Sequence, residues 1–214
     1  MEEIDNTKYE KELYEKGYKL IAGTDEVGRG PLVGPVVAAA VILPKGYKLE
    51  GLTDSKKLSE KKRNYFYDII LKDAISVGIG IVSPKVIDEI NILEASRLAM
   101  NEALDKLDPA PDAILSDAMK LDRNALVIPI IHGDFLSQTI AAASVVAKVT
   151  RDNMMVDLSK KYPEYEFEKH KGYPTKKHIE LVKKYGVLEE YRKTFKPICE
   201  LVKEVDNNDK ISQR

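Results

Sequence analysis

Apolar residues in this chain fall into short continuous runs bounded by glycine and proline, and into longer stretches with helical spacing. Tyr18 to Val27 reads as a strand ending in Asp25 and Glu26. Val36 to Leu43, rich in Val, Ile and Ala after the breaker Gly34-Pro35, reads as a buried strand. Ala74 to Val82 alternates around Gly78 and Gly80, which predicts a strand that a neighbouring backbone approaches closely. Asp112 to Ser116 and Ala125 to Ile131 predict two further short strands, each followed by an aspartate, Asp117 and Asp134. Helical spacing predicts a charged helix near Lys8 to Lys16 and another over Leu58 to Lys72. Ser59 is a candidate N-cap there, although Lys62 stands where a capping box needs Glu or Gln. A long helix is predicted from Pro84 to Leu107, with Ile87, Ile90, Leu93, Leu98, Ala99 and Leu104 as its stripe. A second runs from Ser137 to Lys161, where Ala141, Ala142, Ala143, Ser144 and Ala147 form a small-residue face suited to packing on a sheet. Beyond Tyr162 the chain reads as shorter helices and loops, closing in a polar tail, Val205 to Arg214, that is expected to fray. The pattern describes an α/β sandwich with a mixed sheet and helices on both faces, and leaves strand order open.

Composition narrows the class. The 214 residues suit one large domain, and 43% hydrophobic residues supply a real core. With 34 Lys+Arg against 35 Asp+Glu the net charge is -1, so any electrostatic specialisation is local. The lone Cys199 excludes an intramolecular disulfide and a thiolate-rich metal site, and points to a reducing compartment. The acidic N-terminus is unlike a secretory signal, and Leu32 to Leu43 falls well short of the roughly 20 residues that span a bilayer. A soluble cytoplasmic protein is expected, without membrane association.

The chemical signal is the recurrence of acids where predicted strands end: Asp25-Glu26, Asp117 and Asp134. A single aspartate after a strand is ordinarily a turn former or helix cap. The adjacent pair just before a glycine loop is harder to explain that way. Carboxylates held on a rigid sheet, with no cysteine set beside them, suit Mg²⁺ or Mn²⁺ rather than Zn²⁺. Two such ions about 4 Å apart can align a water for attack on a phosphodiester and neutralise the leaving oxygen. Neighbouring strand residues point to opposite faces, so Asp25 and Glu26 serve one site only if the strand ends or bulges; Gly28-Arg29-Gly30 supplies a break. This loop is a near miss to a dinucleotide fingerprint, but Pro31 and the strand-like run after Pro35 replace the helix such a site requires.

The run I-A-G-T-D-E-V-G-R-G-P-L-V-G-P-V-V-A-A-A-V-I-L, from Ile21 to Leu43, resembles the opening signature of ribonuclease HII, the prokaryotic type 2 ribonuclease H. The resemblance continues through D-S-K-K-L-S at Asp54 to Ser59, S-D-A at Ser116 to Ala118 and Gly133-Asp134. It includes A-A-A-S-V-V-A-K-V-T-R-D from Ala141 to Asp152 and H-K-G-Y-P-T from His170 to Thr175. It implies a ribonuclease H-like α/β fold with a mixed five-stranded sheet, flanking helices and a helical C-terminal extension. The expected division is an N-terminal helical extension over 1–17, a catalytic domain over 18–186, and a C-terminal segment over 187–214.

The resemblance further implies that Asp25, Glu26, Asp117 and Asp134 are catalytic and bind a two-metal Mg²⁺ or Mn²⁺ site. The implied activity is cleavage of RNA in RNA/DNA hybrids and incision 5′ to ribonucleotides embedded in duplex DNA, giving 3′-hydroxyl and 5′-phosphate ends. Gly28, Arg29 and Gly30 match the loop that senses the ribose 2′-hydroxyl, and Tyr173 the tyrosine that packs on the following deoxyribose. Lys56, Lys57, Ser144 and Lys148 match positions that hold phosphates. A monomer is expected.

Ribonuclease HIII is the rival within the class; Arg29, Asp134 and the short stretch before the signature favour HII. A noncatalytic hybrid-binding protein is disfavoured by the intact acid set. One departure is Tyr191-Arg192-Lys193-Thr194-Phe195, where many members have a histidine-arginine pair before a serine-phenylalanine pair; it reads as structural or as accessory duplex binding. Between residues 160 and 184, eight lysines oppose four glutamates, so a basic segment is concealed in the neutral total.

Overall fold

In the computed structural model, which describes residues 5–203, the predicted strands form one five-stranded sheet. β1 (Ile21–Val27), β2 (Val36–Ile42), β3 (Ser76–Val82), β4 (Ala113–Asp117) and β5 (Leu126–Ile130) lie in the order β3-β2-β1-β4-β5. β1 pairs antiparallel with β2 and parallel with β4, and β4 pairs parallel with β5, so the sheet is mixed, as expected. β2 is buried at every position, which explains its unbroken apolar run: a strand covered on both faces has no solvent side toward which to alternate. The helices include α1 (Lys8–Glu15), α2 (Glu60–Asp73), α3 (Pro84–Ile90), α4 (Ile92–Asp105), a short α5 (Gly133–Leu136), α6 (Gln138–Lys161), α7 (Phe167–His170) and α8 (Lys176–Tyr185), with a 3-10 turn at Pro163–Tyr165 and helical residues at 198–203.

Contacts divide the chain into two units. The first comprises residues up to Val27, Val37–Ile81 and Ser96–Thr150, and the second Gly28–Val36, Val82–Ala95 and the residues from Arg151. In the first unit the small-residue face of α6 meets the sheet as predicted: Ala39 and Val41 of β2 share a core with Ala141, Ala142, Val145 and Val146, joined by Phe66 and Ile70 of α2. Close approach is possible because a Cβ at Gly23 of β1 would overlap the Thr139-Ile140 peptide. Gly78 and Gly80 play the same part on β3, where the approaching backbone is that of α4 at Ala103 and Ala99. α1 is fixed to this unit by Leu13, buried with Ile21, Leu115 and Ile140, and by the buried Glu10. Glu10 Oε1 accepts from Ser137 Oγ at 2.7 Å, Thr139 N at 3.0 Å and Thr139 Oγ1 at 2.8 Å, and so caps the first turn of α6 from another helix.

The second unit has its own core, in which Leu32, Val33, Met155, Tyr165, Phe167, Val182, Tyr191 and Ile198 are buried together. His178 is 0% exposed there, its Nδ1 2.8 Å from Tyr173 O and its Nε2 2.8 Å from Tyr191 Oη.

Two elements differ from the sequence reading. The helix predicted from Pro84 to Leu107 is broken at Asn91, whose φ of 69° ends α3. Its Oδ1 then accepts from Leu93 N at 2.9 Å and Glu94 N at 3.2 Å, capping α4. Asn tolerates positive φ and can cap, so one residue ends a helix and starts the next without disturbing the apolar stripe. The second difference is α5, a short helix that carries Asp134 after His132 turns the chain with a φ of 58°. Ser59 does cap α2, accepting from Lys62 N at 3.3 Å. The tail Val205 to Arg214 lies outside the described residues.

Candidate active site

The first unit assembles the acids by strand register. β1 and β4 run parallel with Thr24 beside Ser116, so the next residues, Asp25 and Asp117, stand side by side at adjoining carboxyl ends. β5, the next strand over, leads through His132 into α5 and delivers Asp134. One carboxylate oxygen from each of Asp25, Asp117 and Asp134 lies within 4.8 Å of the other two. The Gly133 amide donates to Asp117 Oδ1 at 2.8 Å and ties the start of α5 to the end of β4.

Glu26 is outside the trio whose oxygens all lie within 4.8 Å of one another. β1 keeps regular register through Glu26 opposite Ala38 and Val27 opposite Val37, without the bulge that was one way for the acid pair to share a site. Its charge still acts on Asp25. Burial, then the carboxylates of Glu26 and Asp117, hold the Asp25 carboxyl well above the usual range, and a hydrogen bond from Ser144 works against them. Asp134 is raised by burial and by the charges of Asp54 and Asp117, with Lys56 opposing. Burial alone would lower Lys56, but Asp25, Asp54, Asp134 and Asp117 outweigh it and hold the ammonium protonated above its ordinary range. Carboxylates crowded in a low-dielectric site repel one another until a cation arrives. The donor set, all carboxylate oxygens, fits a hard divalent ion such as Mg²⁺ or Mn²⁺.

The sequence-derived phosphate residues are placed variously. Ser144, 4% exposed, is engaged with Asp25 and lies 2.9 Å from Ser55 Oγ. Lys148 is one turn further along α6 and half-buried. Lys56 and Lys57 are exposed, the latter with its ammonium 4.8 Å from the Phe135 ring centroid. Sequence reasoning passed over Asp54, which hydrogen-bonds Asp134; the signal was its place two residues before Lys56 in D-S-K-K-L-S.

In the second unit, Gly28 is buried with a φ of 94°, whereas Arg29 and Gly30 are exposed. A Cβ at Gly30 would stand 3.5 Å from Tyr173 Cε1, so loop and tyrosine are neighbours. Tyr173 is 39% exposed and is not a core residue. The basic segment is largely exposed, with Lys160, Lys161 and Lys169 paired to Asp157, Glu190 and Glu166. Arg151 and Arg192, to which the sequence reading gave no site, are both fully buried.

The sequence model described as Ribonuclease HII matches residues 22–198. The chain belongs to the ribonuclease HII family. It is 56% identical to the ribonuclease HII of Bacillus cytotoxicus over 200 residues, covering 94% of this chain and 77% of that protein. Among solved structures, the ribonuclease H2 of Pyrococcus horikoshii OT3 matches with a TM-score of 0.75 at 27% identity, covering 87% of this chain and 99% of that one. Bst-RNase HIII in complex with Mn²⁺ matches with a TM-score of 0.63 at 16% identity, covering 91% of this chain and 72% of that one, and shares the fold. Ribonuclease HII proteins are divalent-metal-dependent endoribonucleases that act on RNA/DNA hybrids, and this chain is one of them. Among the described residues, no helix is long and apolar enough to cross a membrane.

Proposed function

We propose that this ribonuclease HII also incises duplex DNA on the 5′ side of an embedded ribonucleotide, leaving 3′-hydroxyl and 5′-phosphate ends. The observation that carries the reading is the convergence of Asp25, Asp117 and Asp134, in a chain where Val27 alone separates the acid pair from a glycine loop that neighbours the exposed Tyr173. Asp25, Asp117 and Asp134 hold two Mg²⁺ or Mn²⁺ ions, with Glu26 completing the set from the following position. When bound, the ions lower the pKa of a water and offset charge on the departing 3′-oxygen. Ser144 holds the Asp25 carboxylate in place. Lys56 and Lys57, with Lys148, neutralise backbone phosphates. Gly28-Arg29-Gly30 reads the 2′-hydroxyl through main-chain amides, which glycine allows to approach a sugar closely, and Tyr173 packs on the next deoxyribose. A solved Mn²⁺ complex of a protein sharing the fold supports the choice of metal.

The test is nicking of a labelled duplex containing one ribonucleotide, with Mg²⁺ and Mn²⁺ compared. Expected are metal-dependent incision 5′ to the ribonucleotide and none of the all-deoxy duplex. Tyr173→Ala should lower kcat/KM there by about 5-fold or more, the loss of one packing contact worth about 1–3 kcal/mol. Equal cleavage of the all-deoxy duplex would refute the recognition assignment.

A further inference from the structure

The loop from Gly28 to Pro35 lies outside the strands except for the isolated bridge of Val33 with Tyr191, and two buried arginines take the carbonyls of Gly28, Arg29, Val33, Gly34 and Pro35. Arg192, 0% exposed, donates from Nη2 to Gly28 O at 2.6 Å and Gly34 O at 3.0 Å, from Nη1 to Arg29 O at 2.9 Å, and from Nε to Gly34 O at 3.1 Å. Arg151, also 0% exposed, donates to Pro35 O, Val33 O and Lys171 O at 3.0, 3.1 and 3.0 Å. The acceptors are backbone carbonyls rather than carboxylates. Burial, with the charge of Arg151 beside it, pulls the Arg192 guanidinium down to about 9. Such a charge is expensive to bury, and its planar fork is what one side chain needs to grip three carbonyls at once.

The grip has a geometric consequence. In a trans peptide the carbonyl of one residue and the amide of the next point in opposite directions. With the Gly28 and Arg29 carbonyls both on Arg192, the amides of Arg29 and Gly30 both face away from it. The segment bearing Arg192 is itself held: Asp88 of α3 accepts from Lys193 N at 2.7 Å and Thr194 N at 3.0 Å, and the Arg192 amide donates to Leu32 O at 2.9 Å.

We infer that Arg192 is a positioning residue for ribose recognition: it presents the Arg29 and Gly30 amides together to a 2′-hydroxyl, and Asp88 holds it in register. The inference rests on reading Gly28-Arg29-Gly30 as the ribose-sensing loop.

The test measures binding of a duplex with one ribonucleotide and of its all-deoxy counterpart by fluorescence anisotropy, in the full chain carrying Asp134→Asn to prevent turnover. Adding Arg192→Lys, which keeps the charge but lacks the fork, should cut the preference for the ribonucleotide at least 5-fold. The Mn²⁺-induced rise in Tm of Arg192→Lys alone should persist, because the acids belong to the other unit. Folded Arg192→Lys protein with a preference within 2-fold of its parent overturns the inference alone. Absence of any preference in the Asp134→Asn parent overturns the loop reading and the inference with it. If Arg192→Lys does not fold, Asp88→Asn decides: a drop of at least 3-fold is expected, and an unchanged preference overturns the inference.

Discussion

At Asp25, burial and neighbouring carboxylates act in the same direction, so this residue weakens the metal-free protein while serving the site. Its folded pKa lies above the unfolded value of about 3.9, so the folded state binds the extra proton and stability falls as pH rises through that window. Asp25→Asn should therefore raise Tm in EDTA at pH 7, abolish most of the Mn²⁺-dependent rise in Tm, and lower kcat by about 10²-fold or more. Thermal melting with and without Mn²⁺, beside a hybrid-cleavage assay, checks all three. The acid itself was legible in the sequence, since an Asp-Glu pair closing an apolar run before a glycine loop has few structural uses. Its partner Ser144 was legible as a member of the small-residue face and, through the resemblance, as a phosphate contact, but not as a neighbour of Asp25. The departing segment conceals a comparable case: beside the histidine-arginine and serine-phenylalanine pairs, Tyr191 and Thr194 differ, whereas Arg192 and Phe195 remain. Phe195 lies under the Arg192 guanidinium, its ring centroid 5.1 Å away, and Thr194 Oγ1 still donates to Asp88.

Among the elements, α6 depends most on a residue far from it in sequence. Glu10 accepts three hydrogen bonds from Ser137 and Thr139, and its Oε2 is buried without a partner. Removing that acceptor leaves buried donors unsatisfied, so Glu10→Ala should destabilise the protein by about 1–3 kcal/mol, or about 2–12 °C in Tm. Glu10→Gln, which keeps one acceptor oxygen, should lose less; urea unfolding of both variants measures the difference. The long helical stretches were legible, because the apolar stripe records which face each helix buries. The break at Asn91 and the single turn of α5 were not: each turns on one residue adopting positive φ, Asn91 or His132, and periodicity carries no trace of a dihedral.

For the molecule as a whole, the three convergent acids belong to the first unit and the buried His178 to the second, and the two units respond oppositely to pH. In the second, burial holds His178 down to about 4 against about 6.5 when unfolded, so the unfolded chain binds the extra proton between those values and stability is lost as pH falls through them. That group is worth about 3 kcal/mol by pH 4. In the first, Asp25 and Asp134 titrate above their unfolded values and stability is regained on acidification. Hydrogen exchange in EDTA should therefore show protection rising in the β1, β4 and α6 amides of the first unit and falling in α8 between pH 7 and pH 5.

Taken by itself, the sequence determined the strands, the main helical stretches, the mixed α/β class and the family, because each is written in local spacing or in contiguous motifs. Tertiary structure alone decided the strand order, how Asp25, Asp117 and Asp134 meet, and how Arg192 grips the glycine loop. Those depend on register between strands and on hydrogen bonds across long stretches of chain: Arg192 to Gly28 spans 164 residues, and no spacing rule reaches that far.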